Sequence, residues 1–143
     1  MSVDVKYVTR ATASGGGRDG QTRTEDGTID LKLVVPKELG GPGGDGANPE
    51  KLFAAGYSAC FLGALRYVAA QEKAALPAST TVSAEIGIGP RSDGGFGITA
   101  NLTISAEGFD RAVLEDLVHK AHFVCPYSNA TKNSLDVGLK VVA

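Results

Sequence analysis

Between Leu52 and Ala70 only Ser58 and Arg66 are strongly polar, with Tyr57 and Tyr67 amphipathic, so a helix through this run is apolar around most of its circumference. A helix of that kind belongs at the centre of a molecule, covered on every side. Its start is written in Asn48-Pro49-Glu50. Asparagine caps well, proline suits the first helical position, and a carboxylate favours the positive end of the helix dipole. The helix is predicted to run to about Lys73. Alanine, glycine and serine at positions 54, 55, 56, 58, 59, 63 and 64 would let another element approach closely. One small sheet could not easily cover such a helix on all sides, and homodimerisation is the expected source of the missing cover.

The rest of the chain supplies the sheets. VDVKYVTRATA alternates through Val3, Val5 and Tyr7 and runs into the glycine-rich SGGGRDGQ, which reads as strand, then turn. TIDLKLVVP places Ile29, Leu31, Leu33 and Val35 on one face, with Pro36 helping to end it. ELGGPGGDGANP reads as a loop within one domain. Beyond the helix, TVSAEIGIG and FGITANLTISA alternate and are joined by a PRSDGG turn, the pattern of a hairpin. Asp110 is placed to cap a second helix whose Val113, Leu114, Leu117, Val118 and Ala121 form one apolar face. A short capped turn near SNATKN and a final strand, LDVGLKVV, close the chain. The expected order is ββ–α–ββ–α–β, an α+β fold, with residues 1–143 forming a single domain.

Composition narrows the function classes. The 14 basic and 16 acidic residues leave a formal net charge of −2, so bulk charge recruits neither nucleic acid nor an anionic membrane. No apolar stretch reaches ~18 uninterrupted residues, and the N-terminus lacks the basic flank and apolar core of a signal peptide, so the expected location is cytoplasmic. SGGGRDG lacks the lysine and downstream helix of a phosphate-binding loop. His119 and His122 with two distant cysteines have no recognised zinc-ligand spacing, and the histidines are expected to be structural. Cys60 and Cys125 are the two cysteines. In a reducing compartment such a pair is catalytic, redox-sensing or simply buried. Cys60 lies inside the apolar helix. Cys125 precedes Pro126, which disfavours the α conformation at Cys125 and ends a helix there. The two could react together if the fold brings their Cα atoms to roughly 4.4–6.8 Å, which spacing alone leaves open.

The strings GGRDG, LGGPGG, NPEKLFAAGYSACFLGAL, GGFG and HFVCPYSNATKN, in this order, resemble the organic hydroperoxide resistance (Ohr) family within the Ohr/OsmC superfamily, over essentially the whole chain. VCPYSNATKN favours the Ohr branch over the OsmC branch. The resemblance implies an OsmC-like fold, an intertwined homodimer with antiparallel sheets wrapped around central helices and active sites at the subunit interface. It implies a cysteine-based peroxidase that reduces organic hydroperoxides to alcohols without metal, haem or flavin. By the family pattern Cys60 is the peroxidatic cysteine and Cys125 the resolving one, while Arg18 and Glu50 complete the constellation. The implied reductant is a dihydrolipoyl group, usually carried on a lipoylated protein. The alternatives are an OsmC-type peroxidase with another peroxide preference, or a non-catalytic redox sensor.

The chemistry fits these residue types. A thiolate attacks one peroxide oxygen and the other leaves, giving a sulfenic acid. Burial opposes this by raising the thiol pKa, and the Arg18 guanidinium would offset that while Glu50 aims it through a bidentate pair. Lowering a thiol pKa from about 8.5 to about 6 raises the thiolate fraction at pH 7 roughly 30-fold. Intrinsic nucleophilicity falls about 13-fold over the same shift, for a net gain of only roughly two- to three-fold. Arg18 is therefore expected to act mainly on charge developing at the leaving oxygen and on the line of approach. Cys125 would then form a Cys60–Cys125 disulfide and protect Cys60 from irreversible oxidation. Leu39, Leu52, Phe53, Tyr57, Phe96, Phe123 and Tyr127 offer apolar surface for a substrate tail, at roughly 0.8 kcal/mol per buried methylene.

Overall fold

Two kinds of sequence build two kinds of structure in this chain. The computed structural model describes residues 2–143 and divides into two compact units, Met1–Pro49 and Glu50–Ala143.

In the first unit three short strands, β1 (Ala11–Ser14), β2 (Gln21–Thr24) and β3 (Asp30–Lys32), form one antiparallel sheet in sequence order. The β1–β2 turn needs backbone that most side chains resist, and Gly15 and Gly17 supply it at φ 73° and 74°. The β2–β3 turn is tied by Asp26, whose carboxylate accepts from the Thr28 N–H at 3.1 Å and the Thr24 hydroxyl at 2.7 Å. Those donors hold the Asp26 carboxyl below its ordinary pKa. The register sets Arg23 opposite Asp30, and their side chains approach to 3.4 Å. The chain then makes one turn of 3-10 helix at Lys37–Leu39, and Leu33 pairs with Ala47 in an isolated parallel bridge.

The expected strand through Val3, Val5 and Tyr7 does not form: residues 2–10 have no regular structure, and Val3 and Tyr7 are 77% and 79% exposed. Alternation specifies a face, but a strand also needs an edge to pair with, and β1 begins only at Ala11. The second expected strand shrinks to Asp30–Lys32, and the polar QTRT segment, which carries no alternation, is a strand nobody would read from its pattern.

The second unit holds the core. Helix α1 (Pro49–Gln71) is followed by β4 (Thr81–Pro90), β5 (Phe96–Ser105), α2 (Arg111–Val124), α3 (Pro126–Thr131) and β6 (Val137–Val142). Along α1 the buried residues are Tyr57, Phe61, Ala64, Leu65, Val68 and Ala69, a stripe at helical spacing. It forms one cluster with Leu102 and Ile104 of β5, Leu114 and Leu117 of α2, and Cys125. Each large side chain in that cluster contributes roughly 1.5–3 kcal/mol by leaving water. The helix is long and apolar enough to cross a membrane, yet its stripe is spent on this core. Only 33% of its most apolar window is buried, and Ala55, Ala59, Gly63 and Tyr67, four residues apart, are exposed. That leaves a second apolar face, small at Ala55, Ala59 and Gly63 and ending at Tyr67.

The β4–β5 hairpin matches its reading, with Arg91 and Asp93 closing the turn through a 2.8 Å Nε–Oδ1 contact. Asp110 caps α2 by accepting from the Val113 N–H at 2.9 Å. The final strand pairs parallel with β5, giving the order β4-β5-β6. Parallel pairing requires a crossover between the two strands, and α2 and α3 are that crossover.

Candidate active site

The break that Pro126 imposes decides where the second thiol points. Proline removes an N–H and disfavours the α conformation in the residue before it. Cys125 accordingly takes extended angles, φ −61° and ψ 123°, as both the last cap of α2 and the first cap of α3. Its N–H still closes α2 on the Ala121 carbonyl at 2.8 Å, while its own carbonyl accepts from the Asn129 N–H at 3.0 Å. The side chain is thereby turned inward at the joint of two helices and is fully buried. Asn129 also donates to the Phe123 carbonyl at 3.0 Å, which pins the far side of the same joint.

Cys60 approaches from α1. It is half-buried beside the core stripe, and its sulfur lies 3.6 Å from that of Cys125, with the Cys125 thiol donating. Both are free thiols. A disulfide bond is about 2.05 Å long, so roughly 1.5 Å of sulfur movement separates this arrangement from a covalent bridge. Residues 65 apart in the chain are thus brought within reach of one reaction.

The local electrostatics oppose a resting thiolate at Cys60. Burial raises its pKa above the ordinary thiol value and is the largest influence. The Tyr127 backbone N–H, bonded to the Cys60 sulfur, pulls the other way. The neighbouring Cys125 thiol raises it again, since two anions cannot easily share such a small site. A cation at Cys60 would therefore have a defined task.

Around the thiols lies an aromatic wall. Phe53 meets Tyr57 edge-on at 5.6 Å between ring centroids, and Tyr127 lies 5.9 Å from Phe53 and 5.8 Å from Tyr57. The Tyr57 hydroxyl is hydrogen-bonded to the Ser128 hydroxyl at 2.8 Å. Of the side chains offered by the sequence as apolar surface, Phe53, Tyr57 and Tyr127 gather here. Phe96 and Phe123 do not, being 72% and 77% exposed. Ser128 went unnoticed in the sequence because a serine two residues after a proline reads as ordinary turn chemistry.

Glu50 stands in the first turn of α1, and Arg18 lies in the β1–β2 turn of the first unit. Asp19 folds its carboxylate over Gly16 in that same turn. His119 bonds through Nδ1 to the Glu115 carbonyl at 2.9 Å, one turn back on α2. His122 is partly buried with Nδ1 shielded and unpartnered, and burial followed by the nearby His119 lowers its pKa. Both line a cavity of about 400 Å³ with Ser128, Lys132 and Asp136, and neither cysteine reaches it. Among the described residues no group of three or more His, Cys, Asp or Glu is placed to hold a metal ion.

The pattern of this chain recurs in known proteins. Residues 41–140 match the family described as OsmC-like protein. The organic hydroperoxide resistance protein of Xanthomonas axonopodis pv. citri is 54% identical over 135 residues, covering 94% of each chain. Among solved structures, an organic hydroperoxide resistance protein from Legionella pneumophila superposes with a TM-score of 0.92 at 43% identity, covering 98% of this chain and 100% of that one. The organic hydroperoxide resistance protein OhrB of Bacillus subtilis gives a TM-score of 0.85 at 37% identity, covering 95% and 98%. With its α+β architecture, its apolar helix and its matched length, the chain belongs to the OsmC-like family, among the organic hydroperoxide resistance proteins.

Proposed function

We propose that this protein is a thiol peroxidase that reduces organic hydroperoxides to alcohols with Cys60 as nucleophile and Cys125 as resolving thiol. The observation that carries the reading is the 3.6 Å separation of two free thiols held on different elements of a packed core. In the first step the Cys60 thiolate attacks one peroxide oxygen. The O–O bond breaks, the alkoxide leaves and takes up a proton as the alcohol, and Cys60 becomes a sulfenic acid. In the second step Cys125 attacks the Cys60 sulfur. An S–S bond forms, the S–O bond breaks, and the hydroxyl departs as water with the Cys125 proton. A dithiol then reduces the bridge by exchange, and we assign that role to a dihydrolipoyl group on a lipoylated protein, on the strength of the resemblance in the CPYSNATKN region.

Arg18, oriented by Glu50, supplies the positive charge in this scheme. The raised pKa of Cys60 is the physical reason such a charge is wanted. Its larger service is to the leaving oxygen, where charge develops only in the transition state. Phe53, Tyr57 and Tyr127 provide apolar surface beside the thiols, which favours an alkyl or acyl tail over hydrogen peroxide.

The working unit in this proposal is a homodimer in the cytoplasm. Two surfaces support the dimer: the exposed alternating segment around Val3, Val5 and Tyr7, and the small-residue face of α1 at Ala55, Ala59 and Gly63. A monomeric mass at micromolar concentration in sedimentation would contradict it.

The reaction is tested by steady-state consumption of an alkyl hydroperoxide with dihydrolipoamide, with thioredoxin and glutathione as alternative reductants. Turnover is expected with dihydrolipoamide, none with Cys60→Ser, and one turnover followed by over-oxidation with Cys125→Ser. Absence of multiple turnover with any dithiol would favour a redox sensor instead.

A further inference from the structure

The second step of that cycle needs Cys125 to be aimed at Cys60 before another peroxide arrives, and the aim depends on α3. This helix has six residues, too few to be stable by itself. Its seat on α1 is made by two features, at residues to which the resemblance assigns no role. The first is the Tyr57–Ser128 hydrogen bond, 2.8 Å long, buried, and spanning 71 residues of sequence. The second is Gly56. A Cβ at that position would lie 2.8 Å from Tyr127 Oη, 3.1 Å from Cε2 and 3.2 Å from Cζ, so the Tyr127 ring rests on bare backbone of α1. A methyl group there would have to push the ring away, and Tyr127 already has Phe53 and Tyr57 within 6 Å on its other contacts.

The consequence runs through consecutive residues. Tyr127 in the Gly56 notch and Ser128 on Tyr57 fix the first turn of α3. Cys125 caps that turn, and the Tyr127 N–H that bonds to the Cys60 sulfur belongs to it. Seating the turn therefore sets both the Cys125 sulfur and the donor facing Cys60. Disulfide geometry is demanding, with a Cβ–S–S–Cβ angle near ±85–100°, so an unseated turn would close slowly even with the thiols nearby.

We propose that Gly56, Tyr57 and Ser128 are positioning residues for disulfide closure: they seat the Cys125–Ser128 turn on α1 so that Cys125 reaches the Cys60 sulfenic acid ahead of a second peroxide. This rests on the peroxidase reading above and deepens its second step. The step itself is balanced as written there, with the S–S bond formed, the S–O bond broken and water released.

The test separates the two steps in the full-length protein. One equivalent of tert-butyl hydroperoxide is mixed rapidly with reduced protein. Sulfenic acid formation is followed by peroxide loss, and closure by intact mass and by the fraction of Cys60 trapped with dimedone. Tyr57→Phe and Ser128→Ala each remove one partner of a buried hydrogen bond, and closure should slow roughly five-fold or more in each; peroxide loss should change much less in Ser128→Ala, whose side chain lies outside the aromatic wall. Trapping and over-oxidation should rise in parallel. Gly56→Ala should have the larger effect, and Ser128→Thr, which keeps the hydroxyl, should restore most of the closure rate. If Gly56→Ala fails to fold, the hydroxyl variants decide the question. Closure at the wild-type rate in both Tyr57→Phe and Ser128→Ala would overturn the proposal. So would an equal slowing of both steps in Ser128→Ala, the mark of general loosening. A wild-type protein that never forms the bridge would overturn the peroxidase reading itself, and the positioning role with it.

Discussion

The two sheets of this protein have the same number of strands and opposite relations to water. In the β4-β5-β6 sheet, Leu102 and Ile104 are fully buried and join a cluster that runs through α1 and α2 to Cys125. In the β1-β2-β3 sheet every strand residue is exposed or half-buried, and the nearest buried side chain is Leu33, just beyond β3. A three-stranded sheet without a buried face is marginal in water. The difference teaches a division of labour. Cys60 and Cys125 lie in or against a densely packed core, whereas the turn that carries Arg18 belongs to a sheet with no buried strand residue. In the peroxidase reading proposed above, the dithiol takes the first kind of support and the Arg18 charge the second.

The comparison breaks most visibly through Arg18. Replacing it with alanine should lower the rate of sulfenic acid formation by about two to three orders of magnitude, the usual cost of losing a transition-state charge partner. It should also shift Cys60 alkylation to higher pH, because the guanidinium that the proposal sets against burial is then gone and burial raises the thiol pKa. Urea unfolding of the second unit should be unaffected. Arg18→Lys retaining a nearly intact rate would show that the charge alone, and not the planar fork, does the work.

Next in size is the core itself. Leu117→Ala, at a fully buried position of α2, should cost about 2–5 kcal/mol in urea unfolding. Leu31→Ala, at a half-buried position of β3, should cost clearly less. Equal losses would mean that the first sheet is as tightly supported as the second, against the contrast drawn above.

How much of this was legible in the sequence follows from the range of each interaction. The start of α1, the β4–β5 hairpin, the Asp110 cap and the break at Cys125-Pro126 rest on residues within a few positions of one another, and each is found where its pattern places it. Val3, Val5 and Tyr7 form no strand because pairing depends on an edge elsewhere, which alternation cannot name. Thr22 and its neighbours form a strand without alternation because β1 and β3 supply hydrogen bonds on both sides. The parallel pairing of β6 depends on how the α2–α3 crossover runs, a property of chain path rather than of residue type. The cysteine motifs point to the two thiols that the fold brings together. Their 3.6 Å separation, and the Tyr57–Ser128 bond behind it, join residues 65 and 71 apart, and only the folded core holds that information.

The smallest expected effect comes from His122. Its folded-state pKa lies below the ordinary 6.5, so above that value imidazole is neutral in both states and the residue costs nothing. As pH falls below about 6.5 the unfolded chain takes up the proton first, and stability declines through the window down to the lowered folded pKa. Thermal melts at pH 7.5 and 5.0 should therefore differ more for the wild type than for His122→Phe. An identical acid shift in the two would place the sensitivity on other groups.

The central claim is that the core holds Cys60 and Cys125 ready to form one bond within a single chain. Intact mass and thiol titration after one equivalent of alkyl hydroperoxide test it directly. The account predicts that each chain loses two hydrogens and both thiols, with the bridge mapped to Cys60–Cys125. A stable sulfenic acid with Cys125 still free, or a disulfide between chains, would contradict it.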